Sequence, residues 1–232
     1  MSEDSVLEVI VCSLADALSA ARGGAGRLEV ISRFDLEGLT PDLATVKQIV
    51  ENVDLPVRVM IRNQPHFLAE AGVAWEQQLE QARRLATLPI NGFVLGFLAN
   101  GAIDEQAVSE VLACAPHLPA TFHRAFEEVA SVTEAIGALK RYDQIDRILI
   151  SGGRGEPTLR AERLAAVDRV AGPEMRVIAG GGIDERAIGI IRAATRLTEF
   201  HVGRAARIPP EVDGSVDEER VRQLRRRLTS ER

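Results

Sequence analysis

The feature that most constrains this chain is an alternation. Short apolar, β-branched runs of strand length recur between longer stretches of helical period. The runs are Val6–Val11, Leu28–Ile31, Val57–Ile61, Phe93–Leu98, Pro119–Phe122, Ile148–Ile150, Val177–Ala179 and Phe200–Val202, and several end in glycine or polar residues. Six of the intervening stretches read directly as amphipathic helices. Their apolar faces are Leu14, Ala17, Leu18 and Ala21; Leu43, Val46, Ile49 and Val50; Leu79, Ala82, Leu85 and Ala86; Val108, Val111, Leu112 and Ala115; Ala187, Ile188 and Ile191; and Val221, Leu224 and Leu228. Thr40-Pro41-Asp42, Asp104 and Asp184 stand where helix starts need capping residues. Eight units in 232 residues leave roughly 29 residues each, the spacing of βα repeats with short loops. An open doubly wound sheet and a closed barrel both fit alternation. The count of eight, the even spacing and the polar residues at strand ends favour an α/β, single-domain (β/α)8 TIM barrel over residues 1–232.

Composition removes several function classes. The 28 basic residues are outnumbered by 34 acidic ones, for a net charge of −6, and aromatics are 4%. Such a chain is a poor default partner for nucleic acid or an anionic membrane. The two cysteines, Cys12 and Cys114, form neither a CxxC pair nor a zinc-ligand spacing. No apolar run reaches membrane-spanning length. The start, Met1-Ser2-Glu3-Asp4, is acidic where a secretion signal is basic, so a reduced cytoplasmic setting is expected.

Side chains alternate faces along a strand. Glu8, Ile10 and Cys12 share a face, as do Arg27, Glu29 and Ile31, and also Arg58, Met60 and Arg62. Thr121 pairs this way with His123, Leu149 with Ser151, and His201 with Gly203. These residues are expected to point into the barrel. Buried charges are costly unless paired, so this many on one face predicts a polar cavity at the C-terminal strand ends, where barrel enzymes keep their sites. For Glu8 and Glu29 an internal ion pair with Arg27 or Arg58 is the competing expectation. His123-Arg124 and His201, at strand ends, read as site residues, whereas His66 and His117 read as surface.

Two glycine loops read as an anion site. Gly180-Gly181-Gly182 follows the seventh run and opens a helix; Gly203-Arg204 follows the eighth. Loops at these positions of a barrel bind phosphate through backbone N–H groups, and Arg204 adds a charged fork. A bare strand-to-helix turn is the alternative. Ser151-Gly152-Gly153-Arg154-Gly155 lacks the Gly-Lys-Ser/Thr ending of a nucleotide loop.

The motif order resembles the copper homeostasis protein CutC family. The matching pieces are Leu7-Glu8-Val9, Arg27-Leu28-Glu29, Glu37-Gly38-Leu39-Thr40-Pro41, Met60-Ile61-Arg62, Thr121-Phe122-His123-Arg124-Ala125-Phe126, Ser151-Gly152, Gly180-Gly181-Gly182-Ile183 and Glu199-Phe200-His201. They span roughly residues 7 to 205, and the Thr-Phe-His-Arg-Ala-Phe string is the most specific. The resemblance implies a cytoplasmic (β/α)8 barrel, often a homodimer, associated with copper tolerance and Cu(I) binding. It also implies cysteines at the ends of the first two strands in copper-linked members. Those positions are Ile10 and Ile31 here, which leaves Cys12 as the one candidate thiol ligand. The family's Arg-Pro-Arg-Gly-Gly-Asp-Phe loop appears as Arg62-Asn63-Gln64-Pro65-His66-Phe67, and the region after the eighth strand is short.

Three functions follow as expectations. One is a CutC-like copper-homeostasis protein binding Cu(I). Another is a barrel enzyme acting on a small anionic or phosphorylated metabolite. In that enzyme Gly180, Gly181, Gly182, Gly203 and Arg204 hold the anion. His123 is the general acid or base at near-neutral pKa, Glu8 or Glu29 is its carboxylate partner, and Arg62 and Arg124 position substrate. Ser151 and His201 line this site. The third is a non-catalytic metabolite sensor. No Gly-x-Ser-x-Gly nucleophile elbow is present.

Overall fold

The computed structural model describes residues 5–230. Eight parallel strands close into a barrel: β1 (Val6–Val11), β2 (Arg27–Val30), β3 (Val57–Met60), β4 (Gly92–Leu95), β5 (Ala120–Phe122), β6 (Ile145–Ile150), β7 (Arg176–Ala179) and β8 (Glu199–Val202). Each strand pairs with its neighbours in sequence, and β8 meets β1 in the register Val6–Glu199, Leu7–Phe200, Glu8–His201 and Val9–Val202. Closure removes the exposed edges that an open sheet leaves. Eight helices alternate with the strands: α1 (Leu14–Gly23), α2 (Leu43–Asn52), α3 (Val73–Leu85), α4 (Glu105–Ala113), α5 (Val132–Leu139), α6 (Pro157–Ala171), α7 (Glu185–Ala194) and α8 (Glu218–Thr229). None is long and apolar enough to cross a membrane.

Helix starts are set by side-chain caps. Ser13, Asp42, Asp104, Ser131, Asp184 and Asp217 each accept the backbone N–H three residues on, a contact worth about 1 kcal/mol. Helix α6 starts instead with Pro157 at its first turn; the fixed proline φ suits that position. Its buried face mixes Arg160 with Ala161, Leu164 and Ala171, so no apolar stripe announces it in the sequence.

The barrel strands turn one face to the helices. Leu7, Val9, Val11, Leu28, Val30, Val57, Val59, Phe93 and Leu95 join Ala17, Val46, Ile49, Leu79 and Val108 in one buried cluster. Full burial of each large apolar side chain contributes about 1.5–3 kcal/mol. The predicted run Phe93–Leu98 is divided here. Strand β4 ends at Leu95, and Leu98 belongs to a separate hairpin, Leu98–Ala99 with Ala102–Ile103. Gly96 stands at the break, where an added Cβ would lie 2.3 Å from His123 Nδ1.

The inward face is layered. At the N-terminal end, Arg27 pairs with Glu8 and with Glu199 (2.6 Å), which also accepts from Arg147 Nε (2.8 Å). Arg58 grips Asp146 with two bonds, 2.8 and 2.7 Å, and Thr121 Oγ1 at 2.6 Å. Above these lie Ile10, Ile31, Met60 and Val94, against Cys12 and Phe34. Inward parity therefore does not send every charge to the cavity: Arg27 and Arg58 are spent on the barrel floor, where buried ions must be paired.

Candidate functional site

A cavity of about 410 Å³ opens at the C-terminal strand ends, within the size range of small-molecule sites. Of the residues expected there, Glu29, Arg62, His123, Arg124, Gly181, Gly182, His201, Gly203 and Arg204 line it. Glu8, Cys12, Gly180 and Ser151 do not. Each has a structural post instead.

Glu8 is held in the floor by Arg27, and its other oxygen meets His201 Nδ1 at 2.7 Å. Burial disfavours its charge, but the Arg27 charge and then His201 overcome this and hold the carboxyl well below its usual range. Its histidine partner is thus His201 and not His123. His201 Nε2 lies 3.4 Å from Glu29 Oε2, so the imidazole bridges two carboxylates. Burial opposes its charge; Glu29 and Glu8 outweigh that and raise its pKa. Burial also lifts the Glu29 carboxyl to about 7, His201 opposing and Glu8 adding to the rise. Glu29 Oε1 is buried with no hydrogen-bond partner among the described residues.

His123 sits between Phe67 and Phe122, with ring centroids 5.2 and 6.1 Å away. Its Nδ1 accepts the Ala125 N–H at 3.1 Å, which leaves the proton of the neutral ring on Nε2. That Nε2 is also buried without a partner among the described residues. Burial, then the Arg62 charge, push its pKa down to about 3. The expectation of a near-neutral His123 is corrected: this ring stays neutral because it is dry and faces cations, and it is a donor through Nε2.

The cavity's charges sort by commitment. Asp35 is taken by Arg33 (2.8 Å), and Arg124 is paired with Glu127 (3.0 Å) and Glu37 (3.8 Å). Asp184 caps α7. Arg62 donates Nε to the Gln64 carbonyl and lies 4.7 Å over the Phe67 ring, and Arg204 is exposed. Among the described residues neither Arg62 nor Arg204 has a carboxylate partner; these two cavity cations sit on the loops after β3 and β8. Gly181 and Gly182 adopt φ of 68° and 71°, a region that favours glycine, and among the described residues no acceptor takes their N–H groups.

Ser151 serves the loop above β6. Its N–H and Oγ both donate to Glu127 Oε1, at 2.7 and 2.5 Å. Gly180 donates to the Ile150 carbonyl, and a Cβ there would fall 2.5 Å from Leu149 Cδ1. Cys12 is half-buried with its Sγ 3.8 Å from Arg207 Nη2, and burial raises the thiol pKa. Cu(I) takes soft ligands as thiolate or thioether sets. Around the cavity Ile10 and Ile31 are hydrocarbon, Met60 is one thioether, and both imidazoles are engaged through Nδ1. No group of three His, Cys, Asp or Glu among the described residues is placed to hold a metal. The donor set does not fit copper.

Sequence reading missed three supporting residues. Arg160 donates to the carbonyls of Ser151 (2.8 Å), Gly180 (2.8 Å) and Gly181 (2.7 Å), fastening the β6 and β7 loops together. Arg207, beyond β8, reaches Asp16 (3.2 Å) and stacks 5.0 Å over Phe34, a cavity wall. Gly96 leaves room for His123. Only the helix start at Pro157 hinted at α6, and nothing local marks a long-range arginine contact.

Known proteins resemble this chain in both sequence and fold. Residues 5–206 match the model of the CutC family. A family protein CutC of Mesorhizobium japonicum is 31% identical over 205 residues, covering 88% of this chain and 79% of that protein. The copper homeostasis protein cutC homolog of Homo sapiens is 30% identical over 197 residues, covering 84% and 72%. A CutC crystal structure from Streptococcus agalactiae superposes with a TM-score of 0.76 at 23% identity, covering 86% of this chain and 98% of that one. With the family motifs placed on the strand ends of a closed barrel, this chain belongs to the CutC family.

Proposed function

We propose that this CutC-family barrel has the copper-homeostasis role carried in the name of its human relative, and that it acts there through a small anionic metabolite and not by ligating Cu(I). The observation that carries the reading is the pairing of two uncommitted arginines, Arg62 and Arg204, with the unpartnered N–H groups of Gly181 and Gly182 around one cavity. Guanidinium forks and free backbone N–H groups are the usual recognisers of a phosphate or carboxylate group. The cytoplasm is the proposed setting, with a small molecule as partner; the homodimer implied by resemblance is part of the same proposal.

Two titrations test this. Phosphate and a panel of phosphorylated three- to five-carbon metabolites, followed by NMR, should shift the Gly181 and Gly182 amides. Arg204→Ala should weaken the interaction about tenfold, the loss of one charge-assisted contact. An anaerobic Cu(I) competition against a modest chelator should show no uptake, with Cys12→Ser indistinguishable from the parent. Tight Cu(I) binding that vanishes in Cys12→Ser overturns the reading.

A further inference from the structure

The cavity has a second pole that the anion site does not use. Glu29 and His123 are 2% and 3% exposed, both line the cavity, and each carries a buried polar atom without a partner: Glu29 Oε1 and His123 Nε2. Native proteins satisfy almost all such atoms, so two orphans on one cavity mark places for ligand atoms. The two differ in kind. Glu29 offers a carboxylate oxygen, an acceptor. His123 offers an N–H, because its Nδ1 is already an acceptor for Ala125.

Resting on the anion-site reading above, we propose that this barrel abstracts a proton from the carbon next to a carbonyl in a small anionic α-hydroxy ketone or aldehyde, with Glu29 as the base and the neutral His123 as the donor to the carbonyl oxygen. The C–H bond breaks and its proton passes to Glu29 Oε1. The electron pair forms a carbon–carbon double bond, and the carbonyl electrons move onto oxygen, which His123 Nε2–H holds as the charge develops. Return of the proton to the same carbon regenerates substrate; return to the neighbouring carbon, with the proton of the adjacent hydroxyl passing to the former carbonyl oxygen, gives the isomer, so no oxidant or second substrate is consumed. A neutral imidazole is the better partner for an enolate-like oxygen, since it stabilises the charge while keeping its proton. Two cavity arginines supply the anchorage that holds the reacting carbon still.

His201 is a positioning residue in this scheme. It carries Glu29 Oε2 at 3.4 Å and is itself fixed by Glu8 at 2.7 Å, which Arg27 holds from below. The groups acting on Glu29 are therefore His201 from β8, Glu8 from β1 and Arg27 from its own strand β2. Together they leave Glu29 titrating near 7, where a base removes a carbon-bound proton and gives it up again.

The experiment is proton exchange in D2O with dihydroxyacetone phosphate and ribulose 5-phosphate as probes, read by NMR. Exchange of the carbon-bound hydrogen is expected in the parent, rising with pH through a midpoint near 7. Glu29→Gln should lower it at least 100-fold while probe affinity changes less than threefold, and His123→Gln should lower it comparably. His201→Asn should shift the midpoint of the pH profile, which loss of packing alone does not do. Binding of a probe with no exchange overturns the proton-transfer proposal and leaves the anion site standing. Failure of both probes to bind overturns both. Exchange that survives in Glu29→Gln, or a parent profile flat between pH 5 and 9, also overturns it without reliance on any variant's folding.

Discussion

His123 and His201 line the same cavity, and their neighbours shift their pKa values in opposite directions. His201 lies between two carboxylates, and its pKa is raised. His123 is dry, next to Arg62 and between aromatic rings, and its pKa falls to about 3. The second case has a measurable consequence. In the unfolded chain an ordinary imidazole takes a proton as pH falls through 6.5; in the folded protein His123 waits until about 3. The unfolded state therefore binds more protons in that window, and the stability tied to His123 declines as pH falls from 6.5 toward 3. Between pH 6.5 and 5 the loss is about 2 kcal/mol. Urea unfolding of the parent and of His123→Gln at both pH values should show a parent drop larger by that amount. The contributions of Glu29 and His201 run the other way with pH but are common to both proteins and cancel. In the sequence, strand parity placed His123 and His201 inward, but parity is blind to what stands across the barrel. It assigned the carboxylate partners to the wrong histidine.

At the scale of elements, the loops above β6 and β7 behave as one unit because α6 reaches over both. Arg160 gives one guanidinium to three carbonyls of these loops, and Glu127, from the segment after β5, caps Ser151 from the other side. Replacing Arg160 by Met leaves those carbonyls without their donor; a loss of about 2 kcal/mol or more follows from their desolvation. The same variant should bind phosphate more weakly, since Gly181 loses its fastening. Calorimetric melting and the phosphate titration check the two effects together, and a variant of parental stability with parental affinity contradicts the assignment. Strand and helix existence was readable here from period-two and period-3.6 patterns. Helices α5 and α6 and the end of β4 were not. Helix α5 is only eight residues long, α6 buries an arginine where a stripe of apolar residues is expected, and β4 is ended by Gly96 beside the His123 ring.

Across the whole molecule, one end of the barrel carries the cavity and the other carries buried ion pairs. Arg27, Glu8, Glu199 and Arg147 join β2, β1, β8 and β6 through buried ion pairs. Removing one member of such a set strands the others; Arg27→Met should cost about 3–5 kcal/mol and lower the melting temperature by about 10 °C for a chain of this length. A thermal melt within 2 °C or so of the parent rules out that role. Because Glu8 also holds His201, the same variant should move the pH profile of the site from a distance. What the sequence by itself determined was the repeat, the inward and outward faces, the six legible helices and the family motifs, because these depend on spacing along a few consecutive residues. What only the tertiary structure decided was which inward charges become floor and which become site. Glu8 and His201 lie 193 residues apart and meet only because β8 closes on β1; that closure, not any local pattern, gives Glu29 its histidine.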